Sequence, residues 1–102
     1  MNDLATGSGL KPAVLEKIRK VFAAYPEINQ VILYGSRAKG NYRRGSDIDL
    51  TIKSGQLTLL QLMRIEQELD DLLLPYKIDL SLFRTIENQD LIDHIERVGL
   101  IL

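Results

Sequence analysis

Two short runs in this chain alternate polar and apolar residues without a break. They are residues 47–53 (Asp, Ile, Asp, Leu, Thr, Ile, Lys) and residues 77–82 (Lys, Ile, Asp, Leu, Ser, Leu). A period of two is what a strand buried on one face requires, because successive side chains leave opposite faces of the sheet. A third run, residues 31–34, is β-branched, apolar and aromatic and stops at Gly35 and Ser36, which marks a buried strand closed by a turn.

Between these runs the apolar period changes to that of a helix. Leu15, Ile18, Val21, Phe22 and Tyr25 predict a first helix that opens near Pro12 and stops before Pro26. Thr58 with Gln61 forms a capping box, and Leu62, Ile65, Leu69, Leu72 and Leu73 predict the buried stripe of a second helix ending before Pro75. Leu91, Ile95 and Val98 predict a last helix begun near Asn88 and stopped by Gly99. Residues 36–45 hold at most a turn or two of helix. Strands separated by helices pair into one sheet with the helices packed on it, so the expectation is a two-layer α/β fold with about three strands.

At 102 residues the chain is expected to form one domain, residues 1–102. The absence of cysteine excludes disulfides, thiolate zinc sites and a thiol nucleophile, and fits a reducing cytoplasm. The longest apolar runs reach about four residues, far below the roughly 20 that span a bilayer, and the start lacks a secretory pattern, so no membrane association is expected. A net charge of −1 gives no bulk field to attract long nucleic acid, so any polyanion must be bound locally.

Such a local site is legible. Asp47 and Asp49 lie two apart on a strand, on one face, with Cα atoms roughly 7 Å apart. Ile48, Leu50 and Ile52 go to the other face and anchor them. Asp79, between Ile78 and Leu80, joins the pair from the side if the strands are neighbours. Three acids sharing one space raise one another's pKa values, and a hard divalent cation, Mg²⁺ or Mn²⁺, relieves the repulsion. Two such ions about 3.5–4 Å apart could activate an attacking oxygen and steady a leaving phosphate.

Upstream, Gly35 and Ser36 let backbone N–H groups approach an anion. Arg37, Lys39, Arg43 and Arg44 surround this bend, and with Lys53 they outnumber Asp47 and Asp49 by three charges between positions 37 and 53. Each signal has an ordinary reading: a Gly-Ser pair is commonly a plain turn, and an Asp between apolar residues commonly a solvated face. Their succession is what singles them out. His94, the only histidine, reads as a surface residue, and Tyr34 and Tyr42 as packing residues that could also stack on a base. The apolar end (Val98, Leu100, Ile101, Leu102) reads as core packing or a partner contact.

Gly35, Ser36, Arg37, Ala38, Lys39, Gly40, followed by Ser46, Asp47, Ile48, Asp49, Leu50, resembles the signature of the minimal nucleotidyltransferases (MNT) of the DNA polymerase β-like superfamily. Asp79 matches the family's third carboxylate, and the likeness extends over roughly residues 10 to 100. The resemblance implies a two-layer, palm-like α+β fold with a small mixed sheet. It implies transfer of a nucleoside monophosphate, AMP from ATP, to an acceptor hydroxyl with release of pyrophosphate. Asp47 and Asp49 would hold two Mg²⁺ or Mn²⁺ ions, and Asp79 would bind the catalytic one and help deprotonate the acceptor. Gly35, Ser36, Lys39 and Ser46 would hold phosphate, and Arg37 would offset charge on the pyrophosphate. Members this short often stand beside a HEPN-domain protein as antitoxins, and some adenylylate a tyrosine on it. The alternative is a nucleotide-binding subunit that neutralises its partner by occlusion alone.

Overall fold

The computed structural model describes residues 7–102. Helix α1 spans Pro12–Ala23, strand β1 Gln30–Tyr34, the single-turn α2 Ser36–Lys39, and β2 Ile48–Lys53. Then come α3 at Leu59–Asp70, β3 at Ile78–Leu82, a 3-10 turn at Phe83–Thr85, α4 at Gln89–Val98 and β4 at Leu100–Ile101. Helix boundaries follow the local chemistry. Proline stands in the first turn of α1, where its missing N–H costs nothing. At the start of α3 the Gln61 N–H donates to Thr58 Oγ1 (3.1 Å) and the Thr58 N–H donates to Gln61 Oε1 (2.9 Å), which closes the capping box. The Leu91 N–H donates to the Asn88 side chain at the start of α4.

The four strands form one mixed sheet in the order β3-β2-β1-β4, with β2 and β3 parallel and the other pairs antiparallel. Alternation divides the strands into two faces. Leu33, Leu50 and Ile52 point to one face and are fully buried against Leu15, Ile18 and Phe22 of α1 and Leu62, Ile65 and Leu69 of α3. Burying each such side chain contributes about 1.5–3 kcal/mol, so this layer is the source of stability. The opposite face carries Ile32, Tyr34, Asp49, Thr51 and Asp79. Helix α4 rests against its β1 side, where the Gly99 α-carbon meets the Ile32 side chain. Among the described residues no helix is long and apolar enough to cross a membrane.

Three expectations change. The sheet has a fourth strand: Gly99 ends α4, and Leu100 and Ile101 turn back to pair with Leu33 and Ile32, after which the Leu102 N–H donates to the Val31 carbonyl (2.9 Å). Two residues are too few to show a period, so only the pairing defines this strand. Leu73 lies beyond the end of α3 in a left-handed turn (φ 53°) and is 88% exposed, because the helix stops at Asp70 rather than carrying the stripe to Pro75. Strand β2 begins at Ile48, whose N–H donates to the Lys77 carbonyl, so Asp47 stands just before the strand.

Candidate functional site

Strand register sets the site. Tyr34 of β1 stands opposite Asp49 of β2, and Asp49 stands beside Asp79 of β3, so the three form a row across one face of the sheet. Directly opposed side chains in a sheet are about 4.5–5.5 Å apart at Cβ. Asp49 is half-buried, while Asp47 and Asp79 are exposed. Burial, then the charges of Asp79 and Asp47, push the Asp49 carboxyl above its ordinary value. Burial also raises the Tyr34 hydroxyl; a hydrogen bond with Ser81 opposes this, and the charges of Asp49 and Asp79 add to the rise.

Among the described residues no group of three or more His, Cys, Asp or Glu side chains is placed so that it could hold a metal ion as it stands. The chemistry of the donor set nevertheless suits a hard divalent cation: all donors are carboxylate oxygens, two of the residues are exposed, and Asp49 carries like-charge repulsion from Asp79 and Asp47.

The Gly35–Ser36 bend is held against this row. Gly35 adopts φ 75° and ψ −156°, a conformation essentially confined to glycine. A side chain added there would overlap the Asp49 carboxylate. Its carbonyl accepts the Lys39 N–H (3.1 Å), closing the single turn of α2. Its N–H donates to Nε2 of His94 (3.0 Å), on α4. The His94 ring also meets Tyr34 edge to face, at 6.2 Å between centroids. The sequence predicts His94 as a surface residue, whereas it is half-buried against Gly35 and Tyr34. The signal that places it is periodic: it stands three after Leu91 and four before Val98, on the packing stripe of α4.

The basic residues separate into different positions. Lys39 is exposed on α2 and Ser36 half-exposed at its start. Arg37 turns inward and is only 2% exposed, with Nε donating to the Ser46 carbonyl (3.1 Å) and Nη1 to the Ser8 carbonyl (2.8 Å). Its guanidinium lies over the rings of Tyr42 (5.1 Å) and Tyr76 (4.8 Å). The structure thus gives Arg37 the work of tying the 43–46 turn to the N-terminal segment. The Ser46 hydroxyl accepts the Arg43 N–H (2.8 Å) and shapes the same turn, two residues before β2. Arg43 and Arg44 line a hollow of about 560 Å³ with Lys11, Arg37, Tyr42 and Tyr76, and among the described residues no carboxylate lines it. Lys53 is distant in register from Asp49 and faces Glu96 of α4 (3.9 Å) and the Phe83 ring.

Residues 16–102 match the family described as Polymerase beta, Nucleotidyltransferase. Several solved structures share the fold. A chain of a toxin–antitoxin complex with AMP-PNP is 25% identical, with a TM-score of 0.68, over 84% of this chain and 69% of that one. A chain of the tri-AMPylated Shewanella oneidensis HEPN toxin in complex with MNT antitoxin is 21% identical, with a TM-score of 0.65, over 87% and 68%. A putative nucleotidyltransferase from Sulfolobus solfataricus is 19% identical, with a TM-score of 0.56, over 99% and 87%. No curated protein matches the chain in sequence.

Proposed function

The chain belongs to the polymerase beta nucleotidyltransferase family, and on that premise we propose that it transfers AMP from ATP to a protein hydroxyl, a tyrosine of a HEPN-domain toxin partner, and so acts as the antitoxin. The observation that carries this is the row of Asp49 and Asp79, with Asp47 just before the strand, packed against the Gly35–Ser36 bend. The neighbour with AMP-PNP and the neighbour complexed with an AMPylated HEPN toxin supply the nucleotide and the acceptor class.

In the reaction the acceptor oxygen bonds to the α-phosphorus, the bond from that phosphorus to the bridging oxygen of the β-phosphate breaks, and pyrophosphate leaves in line. Asp47, Asp49 and Asp79 would hold Mg²⁺ or Mn²⁺, which lowers the charge cost of bringing an oxygen nucleophile to a triphosphate. Asp79, exposed at the edge of the row, takes the proton of the acceptor hydroxyl. Ser36 at the start of α2 donates to the β- and γ-phosphates, and Lys39 offsets charge on the departing pyrophosphate. Arg37 and Ser46 hold the turn that delivers Asp47. The lack of cysteine suits the cytoplasm, where ATP is supplied.

The test uses ATP labelled at the α-phosphate with Mg²⁺ and the protein purified with whatever accompanies it. The parent is expected to label a protein tyrosine, and Asp47→Asn and Asp49→Asn to lose about 100-fold or more of that rate. Equal labelling by both variants overturns the assignment. Full neutralisation of the partner by both unlabelling variants replaces transfer by occlusion.

A further inference from the structure

The N–H of Gly35 does not face the row of aspartates; it is directed at α4, where it meets His94. A backbone amide can only donate, so Nε2 must offer a lone pair and the ring proton of the neutral imidazole sits on Nδ1. Gly35 is consequently held from three parts of the chain at once, through the two peptide groups that flank its α-carbon and through the α-carbon itself. Its amide bonds to α4, its carbonyl bonds to the Lys39 N–H of α2, and its α-carbon lies against Asp49 of β2. His94 is itself well seated: Ile95 beside it is buried, Tyr34 meets its ring edge to face, and Gly99 five residues on packs against Ile32.

Glycine has more backbone freedom than any other residue, so contacts from outside the bend help to fix the direction of the Gly35 N–H. We propose that His94 is a positioning residue for nucleotide binding: its neutral ring fixes the Gly35 peptide, and through it aims Ser36 at the triphosphate. This inference rests on the nucleotidyltransferase reading of the site and extends it to α4, an element that carries none of Asp47, Asp49 and Asp79. It makes the last helix a wall of the site, coupled to the phosphate-binding bend through one nitrogen atom. The role is one of placement, since His94 touches the loop and not the reacting atoms.

The experiment compares the parent with His94→Leu, which keeps bulk and removes the acceptor, and His94→Gln, whose Oε1 can accept at a reach similar to Nε2. In the 102-residue chain, ¹⁵N NMR of the parent is expected to show an unprotonated Nε2 and a Gly35 amide proton shifted downfield. His94→Gln should keep that downfield shift and His94→Leu should lose it. With Mg-ATP, His94→Leu should raise the nucleotide KM about 3–10-fold, with kcat changed less, and His94→Gln should restore KM to near the parent value. A protonated Nε2 in the parent, or an unchanged KM in His94→Leu, overturns the proposal, as does a His94→Gln variant as impaired as His94→Leu while keeping the Gly35 shift. If the parent transfers no label, the same comparison is made on the Kd for ATP read from the Gly35 and Ser36 resonances. Failure of the transfer reading and failure of the His94 role are thereby separated.

Discussion

The α-carbon of Gly35 lies directly against the carboxylate of Asp49, leaving no room for a side chain between the bend and the acidic row. Two constraints meet at this glycine, because its backbone angles are also closed to other residues. Gly35→Ala is therefore expected to cost about 1–3 kcal/mol of stability from strain. It should lower kcat/KM for nucleotide transfer roughly 100-fold, since a displacement near 1 Å at a reacting group has that effect. Urea denaturation and transfer kinetics on the same preparation measure both. A Gly35→Ala protein with parental kinetics would show that the contact with Asp49 has no part in the reaction.

Asp49 gives the molecule a pH signature. Its carboxyl titrates higher in the folded chain than in the unfolded one, so losing the proton opposes folding. The stability it contributes is present in full below the unfolded pKa, about 3.9, and is lost as pH rises through the raised folded value. Asp49→Asn never ionises, and at pH 7 in EDTA it should melt above the parent, with the gap closing below about pH 4. Mg²⁺ should stabilise the parent and not the variant, by about 2.7 kcal/mol at 100 times Kd. Calorimetry at the two pH values, with and without Mg²⁺, decides it; a variant less stable than the parent at pH 7 in EDTA contradicts the repulsion.

Arg37 is expected to behave as a structural tie. Arg37→Met leaves the Ser8 and Ser46 carbonyls without their donors and frees the Tyr42 and Tyr76 rings, at a cost of about 2–4 kcal/mol. Arg37→Lys should recover only part of this, because one ammonium cannot reproduce the guanidinium fork. Chemical denaturation of the three proteins measures the effect. Parental stability in Arg37→Met, together with weakened ATP binding, would return Arg37 to direct contact with phosphate.

The capping box at the far end of the sheet provides a control. Thr58→Ala removes the acceptor for the Gln61 N–H and should cost about 1 kcal/mol, with transfer kinetics unchanged. A thermal melt and a rate assay suffice. A loss of rate as large as the loss of stability would mean that activity tracks global stability, and the Gly35 and Asp49 effects would then need the same correction.

Much of this molecule was readable before any coordinates. The alternation determined which side chains share a face over residues 48–53 and 78–82, because a strand's period of two leaves no choice once the apolar positions are buried. Pro12, the Thr58–Gln61 pair, Asn88 and Gly99 determined where helices start and stop, because caps act within one turn. Local sequence also put Gly35 and Ser36 at the end of β1. What only the tertiary structure decided are relations between distant segments. The parallel register set Asp79 beside Asp49, the turn of Arg37 inward toward Ser8 took it out of the exposed basic set, and Leu100 and Ile101 became a strand only by pairing with β1. The bond from Gly35 to His94 spans 59 residues. Chain spacing carries no information about such a contact, because it forms only after the sheet has brought α4 and the end of β1 together.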